Sequence, residues 1–121
     1  MPNLAFFRES DGGVPVLDWF GQLAPPARVK CIAKLELLAI QGHHLRRPHA
    51  DYLRDGIYEL RAKQRGVNYR LLYFFHGEEA IIVSHGLVKS QSAVPPIEIE
   101  RARRRKRDFE ANPAAHTHRE T

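Results

Sequence analysis

The chain has 121 residues, 43% of them hydrophobic and 27% charged, a balance that suits one globular domain and argues against disorder throughout. Nineteen Lys and Arg against fourteen Asp and Glu give a net charge of +5 and a sequence pI near 9.7, which suits a polyanion or an acidic protein as partner, or a basic surface that binds neither. No apolar run approaches the ~18–20 residues that span a bilayer, Arg8 and Glu9 interrupt any signal-like stretch at the N-terminus, and the expectation is a cytosolic, cytoplasmic protein with no membrane partner.

The first element is a short strand from Asn3 to Arg8, carried by Leu4, Ala5, Phe6 and Phe7. Ser10-Asp11-Gly12-Gly13 reads as a turn. A short helix follows, with Pro15 in its first turn, where a missing N–H costs nothing, and with Val16, Phe20 and Leu23 at core spacing. Pro25-Pro26 breaks it and starts a second helix, so the two make a helical hairpin. In that second helix Val29, Ile32, Ala33, Leu35, Leu37, Leu38 and Ile40 crowd more than one face, and Gly42 is its stop.

His43 to Asp55 has little periodicity and much charge, and reads as a long connection closing on Asp55-Gly56. The period then changes to two. Ile57–Lys63, Tyr69–Phe75 and Ala80–Val88 are three strands joined by short Gly-containing links, as in antiparallel hairpins. A last helix begins at Pro95-Pro96, with Glu98 and Glu100 early and Arg103 to Arg107 late, matching the helix dipole at both ends. Ile99, Ala102 and Phe109 give it a thin apolar stripe. Residues 1–110 therefore read as a single domain and 111–121 as a disordered tail. The fold class is α+β, in the order β-α-α-β-β-β-α with one antiparallel sheet and a C-terminal helix.

Period two puts Glu59, Arg61 and Lys63 on one face of their strand, and Arg70 with Leu72 and Phe74 on one face of the next. Lys89 closes the third strand, so the sheet gathers several cations near a shared surface. Fixed cations can hold a phosphodiester and stabilise the charge that develops when it is attacked. Arginine suits this because its planar fork binds two phosphate oxygens at once. RNA brings its own nucleophile, the 2′-hydroxyl, so proton transfer needs only a modest base and acid, for which Glu59 and His85 are the candidates. Tyr69 or Tyr73 could stack on a base, and Arg103 and Arg104 of the last helix could add phosphate contacts.

Each residue also has a structural reading. Glu59 beside Arg61 makes an ordinary cross-strand ion pair, His85 in an apolar strand makes a packing histidine, and the tyrosines are favoured in sheets. The basic run Arg101 to Arg107 makes a solvated helix face. Single Cys31 excludes an intrachain disulfide and falls in the apolar helix as a core residue. His43, His44, His49, His116 and His118 lack carboxylate or thiol companions in a regular motif, so neither metal nor cofactor is expected.

The runs Gly56-Ile57-Tyr58-Glu59-Leu60-Arg61, Tyr69-Arg70-Leu71-Leu72-Tyr73-Phe74, His85-Gly86-Leu87-Val88-Lys89, and Glu98-Ile99-Glu100-Arg101-Ala102 come in this order. Together, over about residues 4–109, they resemble the phage-derived HigB-like branch of the RelE/ParE toxin superfamily. The resemblance implies the toxin of a type II toxin–antitoxin pair, an endoribonuclease that cuts mRNA on the ribosome and stops translation. It implies a helix-turn-helix antitoxin as partner. The family's basic sheet residues fall on Arg61, Arg70 and Lys89, with Glu59 and Lys63 beside them, while Ser90 stands where many relatives carry a second Lys. ParE-like members inhibit DNA gyrase without cleaving RNA, and some phage-derived relatives are inactive; both remain alternatives.

Overall fold

The computed structural model describes residues 1, 3–90 and 92–120. The chain runs β1 (Leu4–Phe7), α1 (Pro15–Gln22), α2 (Pro25–Gln41), β2 (Ala50–Arg54), β3 (Ile57–Gln64), β4 (Val67–His76), β5 (Ala80–Lys89), α3 (Pro96–Ala111) and β6 (Thr117–His118). Short 3₁₀ turns occupy Gly42–His44 and Pro113–His116. The class is α+β as expected: among the described residues there are three α-helices and one six-stranded sheet in the order β2-β3-β4-β5-β1-β6.

Three parts of the expected order change. The long connection contains a strand, β2, antiparallel to β3 through Ala50↔Leu60 and Tyr52↔Tyr58. It is an outer strand of the sheet, and Ala50 and Asp51 are weak strand formers, so little in the sequence marked it. Second, the sheet is mixed, because β1 pairs parallel to β5 through Leu4↔Ile81 and Phe6↔Val83. The helical hairpin begins the long connection that parallel pairing requires, carrying the chain from β1 to β2 before β3 and β4 lead back to β5. Third, the tail expected to be disordered folds back on β1. His116 stacks on Phe7 with ring centroids 5.0 Å apart, its Nδ1 bonds the Arg8 carbonyl at 2.7 Å, and β6 pairs antiparallel to β1 at Phe6↔His118. Thr121, the last residue of that tail, lies outside the described residues.

The hairpin turns explain the register. Asp55 and Gly56 between β2 and β3 have φ of 54° and 81°, and Arg65 and Gly66 between β3 and β4 have 50° and 78°. Two consecutive positive φ values make the turn whose twist matches a two-residue hairpin, and glycine at the second position removes the steric cost. The β3–β4 pairing then runs unbroken from Tyr58↔Tyr73 to Gln64↔Val67.

Helices cover both faces of the sheet. On one face Val16 and Phe20 of α1 and Cys31, Leu35 and Leu38 of α2 bury Leu60, Leu71, Tyr73, Ile81 and Val83. On the other, Ile99, Ala102 and Phe109 of α3 bury Ile57, Leu72, Phe74, Ile82 and Phe7. All four residues of β1 are buried because it lies inside the sheet with helices on both sides. No helix among the described residues is long and apolar enough to cross a membrane.

Candidate functional site

The pairing places three rows of side chains on the α3 face of the sheet. The outermost row is Lys63–Asn68–Lys89, the next Arg61–Arg70–Leu87, and the third Asp51–Glu59–Leu72–His85. The expected juxtaposition of Arg61 with Arg70 is therefore a direct cross-strand pair. The outer two rows lie past Leu72, which is packed under α3. A cleft of about 300 Å³ at this end is lined by Lys34, Pro48, Arg61, Lys63, Asn68 and Arg70.

Two like charges facing each other need a counter-charge, and Glu59 provides it. Its Oε1 accepts from Arg70 Nε at 3.0 Å, and its Oε2 accepts from Arg61 Nε and Nη2 at 3.1 and 2.9 Å. Glu59 is 4% and Arg70 6% exposed, so the pair is buried. Desolvation pulls Arg70 below its ordinary value, Glu59 opposes that, and the neighbouring Arg61 charge adds to it. Arg70 Nη1 also donates to the Tyr69 carbonyl at 3.0 Å. The network continues outward: Asp51 Oδ2 lies 3.6 Å from Arg61 and accepts from Arg47 Nε and Nη2 at 2.9 and 2.6 Å. Arg61 is half-buried at the cleft wall, Lys63 is exposed and Lys89 half-buried.

His85 lies in the same row as Glu59 but on the far side of Leu72. A β-bulge interrupts β5 here, since Leu72 pairs with His85 and Tyr73 with Val83. The bulge turns Ser84 and His85, which alternation would send to opposite faces, toward the same side. Ser84 Oγ and His85 Nδ1 are 2.8 Å apart, and His85 Nε2 is 3.1 Å from Glu98 Oε1. Arg101 also donates to Glu98, and Arg105 donates to Ser84 Oγ at 3.5 Å and to Glu9 at 3.0 Å. Burial, reinforced by the Arg105 charge, pushes His85 down to about 4, so its imidazole is neutral at neutral pH. A neutral ring donating Nε2–H to Glu98 accepts the Ser84 hydroxyl at Nδ1, leaving neither nitrogen idle.

The remaining candidates are dispersed. Tyr69 and Tyr73 lie on the α1–α2 face, opposite the arginines. Tyr73 is 1% exposed with its ring stacked on Tyr58, so no face is open to a base. Tyr69 is half-buried, edge-on to Trp19. Arg103 is paired with Glu100 on α3, and Arg104 is exposed on the same helix. Cys31 is a core residue whose thiol burial pushes up to about 11.

Sequence reasoning missed Asp51 and Arg47, which follow from the unrecognised β2, and Ser84, which depends on the bulge. It also left Arg105 on a solvated face, although Arg105 follows Ala102 by three residues on the apolar stripe. That spacing was the available signal. Its guanidinium lies 5.8 Å above the Phe7 ring centroid, which lets an arginine occupy a core position.

Geometrically, then, the sheet end carries two guanidiniums organised by one carboxylate, with two lysines in the adjoining row. The chemistry of such an array suits phosphate oxygens and the stabilisation of added negative charge. Among the described residues no group of three or more His, Cys, Asp or Glu forms a metal-holding cluster. No curated protein matches the chain. The model of one family, described as phage derived protein Gp49-like (DUF891), matches residues 18–107, from within α1 to within α3. With about three quarters of its length inside that match, the chain belongs to the Gp49-like phage-derived protein family, a family related to the toxins of type II toxin–antitoxin pairs.

Proposed function

We propose that the chain is the toxin of a type II toxin–antitoxin pair, and that it inhibits translation by cleaving mRNA on the ribosome. The observation that supports this reading most is the alignment of Arg61, Arg70, Lys63 and Lys89 on one end of one sheet face. An inhibitor acting only by binding a protein such as gyrase has no need of a phosphate site.

In this mechanism Arg61, Lys63 and Lys89 grip the scissile phosphate, and Arg70, held by Glu59, adds positive potential from below. The 2′-oxygen attacks phosphorus in line, the P–O5′ bond breaks, and a 2′,3′-cyclic phosphate and a 5′-hydroxyl result. The 2′-hydroxyl proton passes to solvent or a basic group, and the 5′-oxygen takes one up. Charge stabilisation dominates, because both Glu59 oxygens are engaged by arginines and both His85 nitrogens are bonded. Glu59 is accordingly a positioning residue in this proposal. The partner is a helix-turn-helix antitoxin that covers the basic surface, with encounter weakened by salt.

The test is ribosome-dependent cleavage of a defined mRNA by the wild type and by Arg61→Ala and Lys89→Ala. Each substitution is expected to slow cleavage by about 10²–10³, as for loss of one oxyanion donor. Replacing Arg70 by Ala should abolish cleavage, and Arg70→Lys should rescue only partly, because a single ammonium keeps the charge but does not reproduce the Nε and Nη1 bonds that hold Glu59 and the Tyr69 carbonyl. Full cleavage by all the variants would remove the site assignment. Absence of cleavage by the wild type, with DNA replication stopping first on expression, would replace the reading by gyrase inhibition.

A further inference from the structure

The charged stretch before β2 folds against the β2 edge of the sheet and lines a second, half-open cavity. The 3₁₀ turn Gly42–His44 and the residues after it roof a space of about 670 Å³ against β2 and β3. Its chemistry is set by His43, Arg46, Arg47, Asp51, Tyr52 and Tyr58. The volume lies within the range of small-molecule sites.

The aromatic side is rigid. Tyr52 and Tyr58 are a cross-strand pair whose rings meet at 67° with centroids 4.9 Å apart, forming a corner. Tyr58 is fixed from behind by stacking on buried Tyr73, and His43 is fixed by stacking on Phe75 at 3.6 Å. Tyr52 is 53% exposed, so its ring is offered to solvent. A corner of this kind supports a flat ring on one face and closes its edge with the other.

The other side is cationic. Arg46 Nη1 donates to the carbonyls of His43 and Leu45, which ties the guanidinium to the roof. Arg47 is held by Asp51 yet keeps 71% of its side chain exposed. Two guanidiniums against one carboxylate leave this wall positive. A flat ring carrying an anion at one edge matches both sides at once, as neither an aliphatic acid nor an uncharged aromatic does.

We propose that this cavity binds one nucleotide unit, its base against Tyr52 and Tyr58 and its phosphate on Arg46 and Arg47. The unit is either a free mononucleotide or one residue of an RNA chain. Asp51 bridges Arg47 of the cavity to Arg61 of the cleft, so a chain leaving the cavity meets the arginine pair around the outer edge of β2. The RNA form rests on the endonuclease reading above; mononucleotide binding does not.

The experiment titrates the full chain with 5′-AMP, adenosine, ribose 5-phosphate and a 2′-O-methyl trinucleotide that cannot be cleaved, followed by amide NMR shifts. With AMP the shifts are expected to fall within residues 43–58, with adenosine and ribose 5-phosphate each about tenfold weaker or more. Tyr52→Leu and Arg47→Ala are each expected to weaken AMP by about tenfold, while Tyr52→Phe, which keeps the ring, retains it. A trinucleotide binding at least about tenfold tighter than AMP, with shifts spreading to Arg61 and Lys63, identifies an RNA residue as the occupant. A trinucleotide no tighter than AMP identifies a free mononucleotide. No shift in 43–58 up to about 10 mM AMP, an affinity of only ~3 kcal/mol, would overturn the proposal. Equal binding of ribose 5-phosphate would do the same, since it reports an anion patch without a base site. Lys89→Ala separates this proposal from the endonuclease reading: it should lower cleavage and leave AMP binding intact.

Discussion

Adding a single methyl group at Gly86 tests how the α1 face is built. Gly86 sits in β5 opposite Leu71, and the Trp19 indole of α1 lies flat against its backbone. A Cβ at this position would meet Trp19 Cε3 at 2.2 Å and Cδ2 and Cζ3 at 2.4 Å. Carbon atoms in contact settle at about 3.5–4.0 Å, so the ring must retreat by more than an ångström. Phe20 and Tyr69, with ring centroids 5.9 and 6.1 Å away, block its retreat on two sides, so the half-buried ring must swing toward the cleft of about 430 Å³ that it lines with Gly86. Overpacking of this kind costs about 1–3 kcal/mol, or roughly 4–12 °C in Tm for a domain of this size. Gly86→Ala is therefore expected to lower Tm by that amount in calorimetry. Trp19 is the only tryptophan, so its emission should shift to the red as the indole leaves the sheet. In a Trp19→Ala background the same glycine substitution should cost little, which assigns the loss to this contact. An unchanged Tm and emission, or an equal loss in both backgrounds, would refute the reasoning.

Two further outcomes follow from the buried charges. Glu59→Ala strands Arg70, whose side chain is 7% exposed, and should cost about 3–5 kcal/mol in urea unfolding. Arg61→Ala leaves the Glu59–Arg70 pair whole and should cost about 1 kcal/mol; equal losses would contradict the clamp. The second concerns His85, faced by Ser84, Glu98, Arg101 and Arg105. Its folded pKa of about 4 lies below its ordinary 6.5, so the unfolded chain takes up the proton first as pH falls. Stability from this group is complete above pH 6.5 and declines toward pH 4, by at most about 3 kcal/mol. His85→Gln should flatten the wild-type slope across that window in unfolding measured at stepped pH.

The central sheet was legible because its signals are local. Period two from Ile57, the Asp55-Gly56 and Arg65-Gly66 turns, and continuous apolar runs place β3, β4 and β5 with their faces. What escaped depends on contacts far apart in sequence. β1 runs parallel because it enters the sheet beside β5, and β6 forms because His116 and His118 find Phe7 and Phe6 more than a hundred residues away. The second helix shows the limit of pattern from the other side. Its apolar residues crowd more than one face, and packing selects Ala27, Cys31, Leu35 and Leu38 while Val29 and Ile40 stay 65% and 83% exposed. Of the candidate site, residue types and register were readable, since Arg61 and Arg70 pair as alternation predicts. Burial was not: the same register puts Arg70 beneath the surface and Arg61 at the cleft wall, a difference made by depth in the fold.

That difference in depth shapes the proposed chemistry. Arg70 cannot leave its carboxylate without becoming a buried, unpaired charge, so it acts through its field and by holding Glu59 in place. Arg61 shares Glu59 but lies nearer water, so an incoming phosphate can compete for its fork at a cost that Arg70 and the desolvated setting partly offset. Lys63 and Lys89, which make no ion pair among the described residues, have nothing to surrender and offer the first grip. The proposed mechanism thus divides the cations into two that bind on arrival, one that exchanges partners, and one that stays fixed. Both Glu59 oxygens accept from arginines, so in this proposal the carboxylate organises the cations and does not carry the proton. In the proposed mechanism the organisation that makes this end of the sheet a phosphate site also leaves charge stabilisation as its main contribution to rate.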